Sequence, residues 1–426
     1  MTSNEPGGEC YVYITLPGDT RPVTAGRYAL TVTRRGDALG RFVYGRNYLQ
    51  MDNAVEIDPF ELKLAARNYE TVRLKGVFGA LRDSGPDFWG RRVIEKHRGK
   101  AELSELDYLL HSADDRAGAL GFGRGKEPPA PTRKFNKTLE LAKLQKIADA
   151  ILADEEVPQN EANAQIEELL LVGTSMGGAR PKAVVEDEAG LWLAKFNRGD
   201  DPWNVARVEH AMLTLARACG LDVALSQVVR AGGRDVLLVR RFDREKIGRG
   251  YVRARMVSAL TMLRAEDSHR SRDRWSYVLL AEELRRISGN ARADAHELFR
   301  RMAFNALISN SDDHPRNHAI LARGLEWRLS PAYDLTPTSP IGIERRDLAL
   351  TVGDQGRRAS ADNLVSQSAR FLLTRGEAEK IVDDMEAQVK TQWYDVARAQ
   401  GVSPADCERI KGAFAYPGFR LIPDAV

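Results

Sequence analysis

The sequence predicts an α+β fold, strand-rich at the start of the chain and mainly helical towards its end. Three observations carry this expectation. Cys10–Leu16 (CYVYITL), Tyr28–Thr33 (YALTVT) and Gly40–Tyr44 (GRFVY) are short, rich in Tyr, Val and Thr, and parted by turns containing Gly and Asp, which suggests a small antiparallel sheet. Tyr277–Arg286, Ala295–Ser309 and Gly376–Ala399 read as helices, the last with Ala378, Val382, Met385, Val389, Trp393 and Val396 on one face. Asn310–Thr336, NSDDHPRNHAILARGLEWRLSPAYDLT, concentrates polar side chains that a hydrophobic core does not need.

At 426 residues the chain is long enough for two or three domains with substantial cores. A hydrophobic content of 43% and a charged content of 29% are ordinary for a globular protein. Lys and Arg number 63 against 60 Asp and Glu, a balance that neither demands nor excludes nucleic acid. Cys10, Cys219 and Cys407 form no CxxC pair, which suits a reducing compartment and no disulfide framework. The chain opens without a basic region leading into an apolar stretch, and it lacks an apolar run of about eighteen residues. A cytoplasmic location with no membrane contact is the expectation.

Taken in order, residues 1–9 are polar and loose. Asp58-Pro59 opens a helix. Val77–Glu95 (VFGALRDSGPDFWGRRVIE) bends at Gly85-Pro86 and packs Trp89, a structural role on its own. Lys126–Lys134 (KEPPAPTRK) reads as a linker, followed by helices over Leu139–Ala153 and Glu161–Leu171. The expected domains are therefore a β-rich part at 1–125, linker helices with a glycine loop and hairpin at 126–245, and a helical part at 246–426.

Gly173–Lys182 (GTSMGGARPK) is a glycine loop containing Ser175, Met176, Gly177 and Gly178, of the kind that lays backbone N–H groups against phosphate. It matches neither the Walker pattern nor GxGxxG. A hairpin follows, turning at Glu188–Gly190 into Leu191–Phe196. Lys195 on its second strand either pairs with phosphate or points to solvent. Asp201-Pro202 caps a helix with Val205, Val208, Met212, Leu215 and Cys219 as its buried stripe. Glu209, on the edge of that stripe, either faces inward or is a solvated flank residue. Asp235–Phe242 (DVLLVRRF) is a buried strand entering a linker, and Phe242 either stacks on a base or belongs to the core.

Within Asn310–Thr336, Asp312 and Asn317 are five apart, and Asp334 follows a short hairpin-like stretch. A loop Asp, an Asn five residues on and an Asp beyond a strand pair is the arrangement of kinases. There, Asp312 would take the proton of the attacking hydroxyl, while Asn317 and Asp334 would hold Mg²⁺ through oxygen ligands. A polar turn between core elements is the plainer reading. A zinc site at His314 and His318 is disfavoured by the intervening Pro315 and the lack of an HExxH glutamate. Glycine loop, strand Lys, helix Glu, Asp…Asn and Asp follow one another in kinase order.

Together these residues resemble the HipA family of serine/threonine kinases, the toxin halves of bacterial toxin–antitoxin pairs. The likeness runs through FGALRDSGPDFWGRR, SMGGARPK, RRFDR, NSDDHPRN and PAYDLTP, and so through nearly the whole chain. It implies a two-lobed, protein-kinase-like α+β fold with a β-rich N-terminal subdomain and a helical C-lobe. It also implies Asp312 as catalytic base and Asn317 and Asp334 as Mg²⁺ ligands. Ser175, Met176, Gly177, Gly178, Lys182, Lys195, Phe242, His314 and Tyr333 would touch ATP. Lys195 would pair with Glu209, and Ser175 would be the site of a self-inactivating autophosphorylation. Arg240 stands where the family's hinge has an acidic residue. Asp313 stands where glycine is frequent, and would add a carboxylate near the metal. The implied partners are a helix-turn-helix antitoxin of the HipB type, through which DNA is reached indirectly, and a protein substrate, typically an aminoacyl-tRNA synthetase. A catalytically silent corepressor scaffold and a small-molecule kinase are the alternative readings.

Overall fold

The computed structural model describes residues 8–99, 103–131, 135–153, 180–338 and 342–421. The chain divides into two units. One gathers Met1–Phe196, Arg240–Thr261 and Leu321–Trp327; the other gathers Asn197–Val239, Met262–Ile320 and Arg328–Val426.

In the first unit the three expected strands become β1 (Gly8–Thr15), β2 (Pro22–Val32) and β3 (Ala38–Tyr44). Two further short strands, β4 (Asn68–Thr71) and β5 (Leu120–Gly123), complete an antiparallel sheet of order β4-β3-β2-β1-β5. Its inner face is aromatic: Tyr44 meets Phe42 edge-on and stacks on Tyr48. The buried Tyr44 hydroxyl accepts from the Ile57 amide at 2.9 Å and donates to the Leu62 carbonyl at 2.5 Å, so the polar tip is satisfied. Gly40 is fixed by packing, since a Cβ there would lie 1.7 Å from the Gly76 carbonyl oxygen.

The helix expected at Asp58-Pro59 does not form. Asp58 accepts the amides of Phe60 and Glu61 with one oxygen, both at 2.7 Å, in a local turn. The Glu61 carboxylate is then engaged by Arg73 and by the Gly79 amide, which holds the segment in an irregular path. Val77–Glu95 bends as expected, into helices Gly79–Asp83 and Phe88–Arg98 with Trp89 buried. The Asp87 side chain caps the second helix by accepting from the Gly90 amide at 2.8 Å. Leu141–Ala153 is helical, close to expectation, whereas Glu161–Leu171 lies outside the described residues. The expected hairpin is present: β6 (Asn136–Lys137) lies parallel to β7 (Lys182–Asp187), which turns into antiparallel β8 (Gly190–Phe196).

In the second unit the helix Val205–Ala218 buries Val208, Met212 and Leu215 and also Glu209. Its cap is Asn204 rather than Asp201, because the Asp201 carboxylate already accepts the Arg198 amide at 2.8 Å. The strand Arg234–Arg240 buries Val236, Leu237 and Leu238 completely. Helices Tyr277–Ile287, Ala291–Leu307 and Arg375–Ala399 supply the helical mass, the last opened by a capping box between Thr374 and Glu377. The final Phe414–Val426, with two prolines, reads from sequence as a surface tail, but its described part packs against the rest of the second unit. Phe414 stacks on Trp393 at 4.2 Å between centroids, and the buried Tyr416 donates to the Ala359 carbonyl at 2.8 Å. Aromatic burial outweighs the proline content there.

The densest buried charge of the first unit fastens the RRFDR segment to the turn before β5. The Arg241 fork reaches Asp115 Oδ1 at 2.9 Å, both Asp243 oxygens at 2.8 Å and the Arg116 carbonyl at 2.8 Å. Asp243 also accepts from the Gly118 amide at 2.9 Å and from Arg244 at 2.8 Å. Burial pushes the Asp243 carboxyl up, but Arg241 and Arg244 outweigh it and hold it well below the usual range. Burial pulls the Arg244 guanidinium down to about 9. Removing one member of such a cluster strands the others as uncompensated buried charges. Arg241→Met should therefore cost about 3–5 kcal/mol, and Arg241→Lys, which lacks the fork, should recover only part of it. Urea unfolding followed by circular dichroism measures both; a cost of Arg241→Met near zero would show that the cluster contributes nothing net.

Candidate active site

In the second unit, the polar segment grows out of the helix Ala291–Leu307. Ser309, at φ +54°, turns the chain away from the helix axis, and its hydroxyl donates to the Ala413 carbonyl at 2.5 Å. His314 then opens a 3₁₀ turn, Pro315–Asn317, by accepting the Arg316 amide on Nδ1 at 3.1 Å. The strand Ala319–Ala322 carries the chain into the interior. The Ser330 amide returns to the Ala319 carbonyl at 2.9 Å and brings Asp334 back beside the loop. The Tyr333 hydroxyl donates to the Arg316 carbonyl at 2.7 Å, which ties the residue before Asp334 to the residue before Asn317. Asp334 sits at φ +61°, a left-handed backbone that Asp tolerates better than most residues, and one that recurs at functional sites.

Asp312, Asn317 and Asp334 are thus brought to one place. Desolvation by the surrounding protein, and next the charge of Asp334, push the Asp312 carboxyl above its ordinary range. Among the described residues, neither the Asp312 carboxylate nor the Asn317 side-chain amide makes a hydrogen bond within the protein. Two crowded carboxylates and an uncommitted amide oxygen fit a hard divalent cation, which takes oxygen ligands and relieves the repulsion. His314 and His318 do not converge on a common point. His314 Nε2 lies 2.9 Å from Asp267, whereas His318 Nε2 lies 2.8 Å from Asp313. A zinc site there has no geometric support.

His314 is held from several directions within its unit. Asp267 bridges it to Arg316, whose Nε is 3.2 Å away, and the Trp275 ring meets the imidazole edge-on at 4.4 Å. Hydrogen bonding to His314, foremost, keeps the Asp267 carboxyl well below its usual range. Asp313 does not extend the carboxylate cluster, contrary to expectation. Its side chain turns into the core, buried to 1% exposure, where Tyr277 and His318 donate to it.

In the first unit, Lys182 and Lys195 are directly opposed in the β7–β8 register and so share a face. Lys182 is committed: its ammonium pairs with Asp87 at 2.6 Å, with side-chain exposures of 1% and 2%. Lys195 is half-buried. Phe242 is buried, and its carbonyl accepts from Arg323 at 2.6 Å. Arg240 leans outward over the Trp192 ring and donates to the Ala189 carbonyl of the hairpin turn. Ser175, Met176, Gly177 and Gly178 lie outside the described residues. Sequence reasoning missed Asp87, Asp267, Tyr277 and His318. For Asp87 a signal existed, since an Asp after Pro and before an apolar run is a cap.

Residues 23–123 match the HipA N-terminal domain and residues 174–393 match the HipA-like C-terminal domain. The chain belongs to the HipA family. It is 26% identical over 351 residues to the Sinorhizobium fredii protein Y4mE, named as a candidate kinase, covering 78% of this chain and 80% of that one. It is also 26% identical over 186 residues to a Haemophilus influenzae protein of similar name, covering 39% and 54% of the two chains. Among solved structures it is similar to HipA of Shewanella oneidensis MR-1, determined with HipB and operator DNA, at a TM-score of 0.68 and 16% identity over 94% of each chain. The expected α+β, kinase-like fold class of HipA proteins therefore stands. Among the described residues no helix is long and apolar enough to cross a membrane.

The crowding at Asp312 has a measurable consequence. A carboxyl raised above its unfolded value costs stability once pH exceeds that value, about 3.9 for Asp. Asp312→Asn should therefore melt above the wild type at pH 7, by about one or two degrees because the group is solvent-exposed. The gap should close as pH falls towards 4. Scanning calorimetry from pH 4 to 8 checks this, and a lower melting temperature at neutral pH would contradict the assigned strain.

Proposed function

We propose that this HipA-family chain is an ATP- and Mg²⁺-dependent protein serine/threonine kinase and the toxin of a toxin–antitoxin pair. The observation that carries the reading is the Asp312–Asn317–Asp334 constellation, in which the Asp312 carboxylate and the Asn317 amide make no side-chain hydrogen bond among the described residues and Tyr333 pins the backbone. Mg²⁺, when bound, would neutralise the phosphate charge and orient the nucleotide. Asn317 and Asp334 would hold it. Asp312, above its ordinary range yet open to solvent, is suited to accept the proton of a serine or threonine hydroxyl as that oxygen attacks the γ-phosphorus. The bond from γ-phosphorus to the bridging oxygen breaks, and ADP leaves. Lys195 on β8 would pair with the phosphates and, with Glu209, form the ordering ion pair of kinases. Lys182 is the weaker candidate because Asp87 already engages it. His314 and Tyr333 would border the nucleotide, and Phe242 would abut its base.

The kinase-named relatives support the reaction class, and the complex formed by the Shewanella HipA supports a helix-turn-helix antitoxin as partner, with DNA reached through it. An aminoacyl-tRNA synthetase is the proposed substrate, and Ser175 the proposed site of self-inactivation. That same complex also favours a second reading, in which the chain scaffolds an antitoxin on its operator without turnover.

Transfer of label from γ-³²P-ATP, with Mg²⁺, into purified protein and a cytoplasmic lysate separates the two. Asp312→Asn should lower turnover about 10²–10⁴-fold while ATP still binds. Wild-type turnover in that variant would remove Asp312 from the mechanism. No label in any protein, with ATP bound, would favour the scaffold.

A further inference from the structure

Behind the loop that carries Asp312 and Asn317 lies a buried polar chain. Asn310 Nδ2 donates to Asn305 Oδ1 at 3.0 Å, Asn305 Nδ2 to the Tyr277 hydroxyl at 3.1 Å, and that hydroxyl to Asp313 Oδ2. His318 Nε2 meets the same Asp313 oxygen at 2.8 Å. All five side chains are at most 2% exposed. Asp313 directly follows Asp312, and His318 directly follows Asn317. The Asp313–His318 bridge therefore closes the loop on its inner side, one residue beyond Asp312 at one end and one beyond Asn317 at the other.

We propose that Asp313 and His318 are positioning residues whose side-chain bridge fixes the spacing between the base Asp312 and the metal-binding amide of Asn317. The inference rests on the kinase reading of those two residues. A buried carboxylate is a costly way to fill space, because apolar side chains of similar volume pack without desolvating a charge. His318 shows the cost directly: its Nδ1 is buried with no partner among the described residues. What the bridge supplies instead is direction. Tyr277 and Asn305 anchor Asp313 to the two helices behind it, and Asp313 anchors the far end of the loop through His318. Phosphoryl transfer depends on placement of oxygens around the metal and nucleotide, where a displacement of about 1 Å costs about 10²-fold.

The test is calorimetric titration of a non-hydrolysable ATP analogue, with and without Mg²⁺, into wild type, His318→Leu, His318→Gln and Asp313→Asn. Melting temperatures are recorded beside them. His318→Leu should weaken apparent Mg²⁺ affinity about 10–100-fold, the usual effect of losing a group that orients a ligand. Metal-free nucleotide affinity should stay within about twofold. His318→Gln, which can offer an amide donor to Asp313, should restore most of the loss. If His318→Leu lowers only the melting temperature and leaves Mg²⁺ affinity unchanged, the bridge is mere filling and the proposal falls. Should His318→Leu fail to fold, Asp313→Asn, which keeps the volume, decides in the same way. Wild type that binds no Mg²⁺-dependent nucleotide overturns the kinase reading and this proposal together. Wild-type binding with unaltered variants overturns this proposal alone.

Discussion

Arg241 is the side chain on which the arrangement of the first unit turns. Its guanidinium joins Asp243, two residues along, to Asp115, 126 residues back. A surface pair of this kind would be worth little, but this one is sealed from water, so its partners have no alternative to one another. The consequence is positional. Phe242 lies between the two charged residues of the cluster, and its carbonyl is held by Arg323. The segment expected to meet the adenine is therefore set by the N-terminal sheet and its following turn, and not by the neighbouring strand alone. Asp83 acts in parallel, accepting the Ser258 amide, the Ser258 hydroxyl and the Thr261 hydroxyl, each at 2.7 Å. The FGALRDSGPDFWGRR motif is thus a connector as well as a bend.

The polar loop of the second unit and the hairpin of the first each set a buried, engaged residue beside a candidate one. In DDHPRNH, Asp312 is exposed and Asn317 is buried without a side-chain hydrogen bond among the described residues, and the residue after each is buried and bridged to the other. In the hairpin, Lys195 stays half-buried while Lys182, opposite it, is neutralised by Asp87. In both places the engaged, buried residue holds the backbone beside the candidate one. Adjacent residues on an extended or turning backbone point to opposite sides, so one dipeptide can serve chemistry and anchoring together.

How much of this was legible follows from sequence distance. Strands and helices with clear periodicity appeared where their patterns placed them, because local pattern and burial agree there. The spacing of Asp312, Asn317 and Asp334 was visible because it is local. The Asp87–Lys182 pair joins positions 95 apart, and nothing in either segment names the other. The Asp58 helix failed because a side chain took the amides that a helix start leaves open, and both outcomes share the Asp-Pro signal. The C-terminal segment misled because its prolines outshone Phe414, Tyr416 and Phe419, whose burial depends on contacts made far along the chain. Asp313 looked like one more acid in an acidic loop. Only the buried Tyr277 and His318 show which way it points.

That last case bears on how departures from a family pattern are to be weighed. A carboxylate beside Asp312 on the outer face would strengthen a repulsion to which Asp334, and to a smaller extent the inward-turned Asp313, already contribute. Turned inward, it requires donors, and two are present: a tyrosine held by Asn305 and a histidine whose Nδ1 has no hydrogen-bond partner among the described residues. The substitution is tolerable because its surroundings supply the hydrogen bonds that a buried charge demands. Asp313 and His318 are therefore best regarded as one unit, since either alone would leave a buried polar atom without its partner.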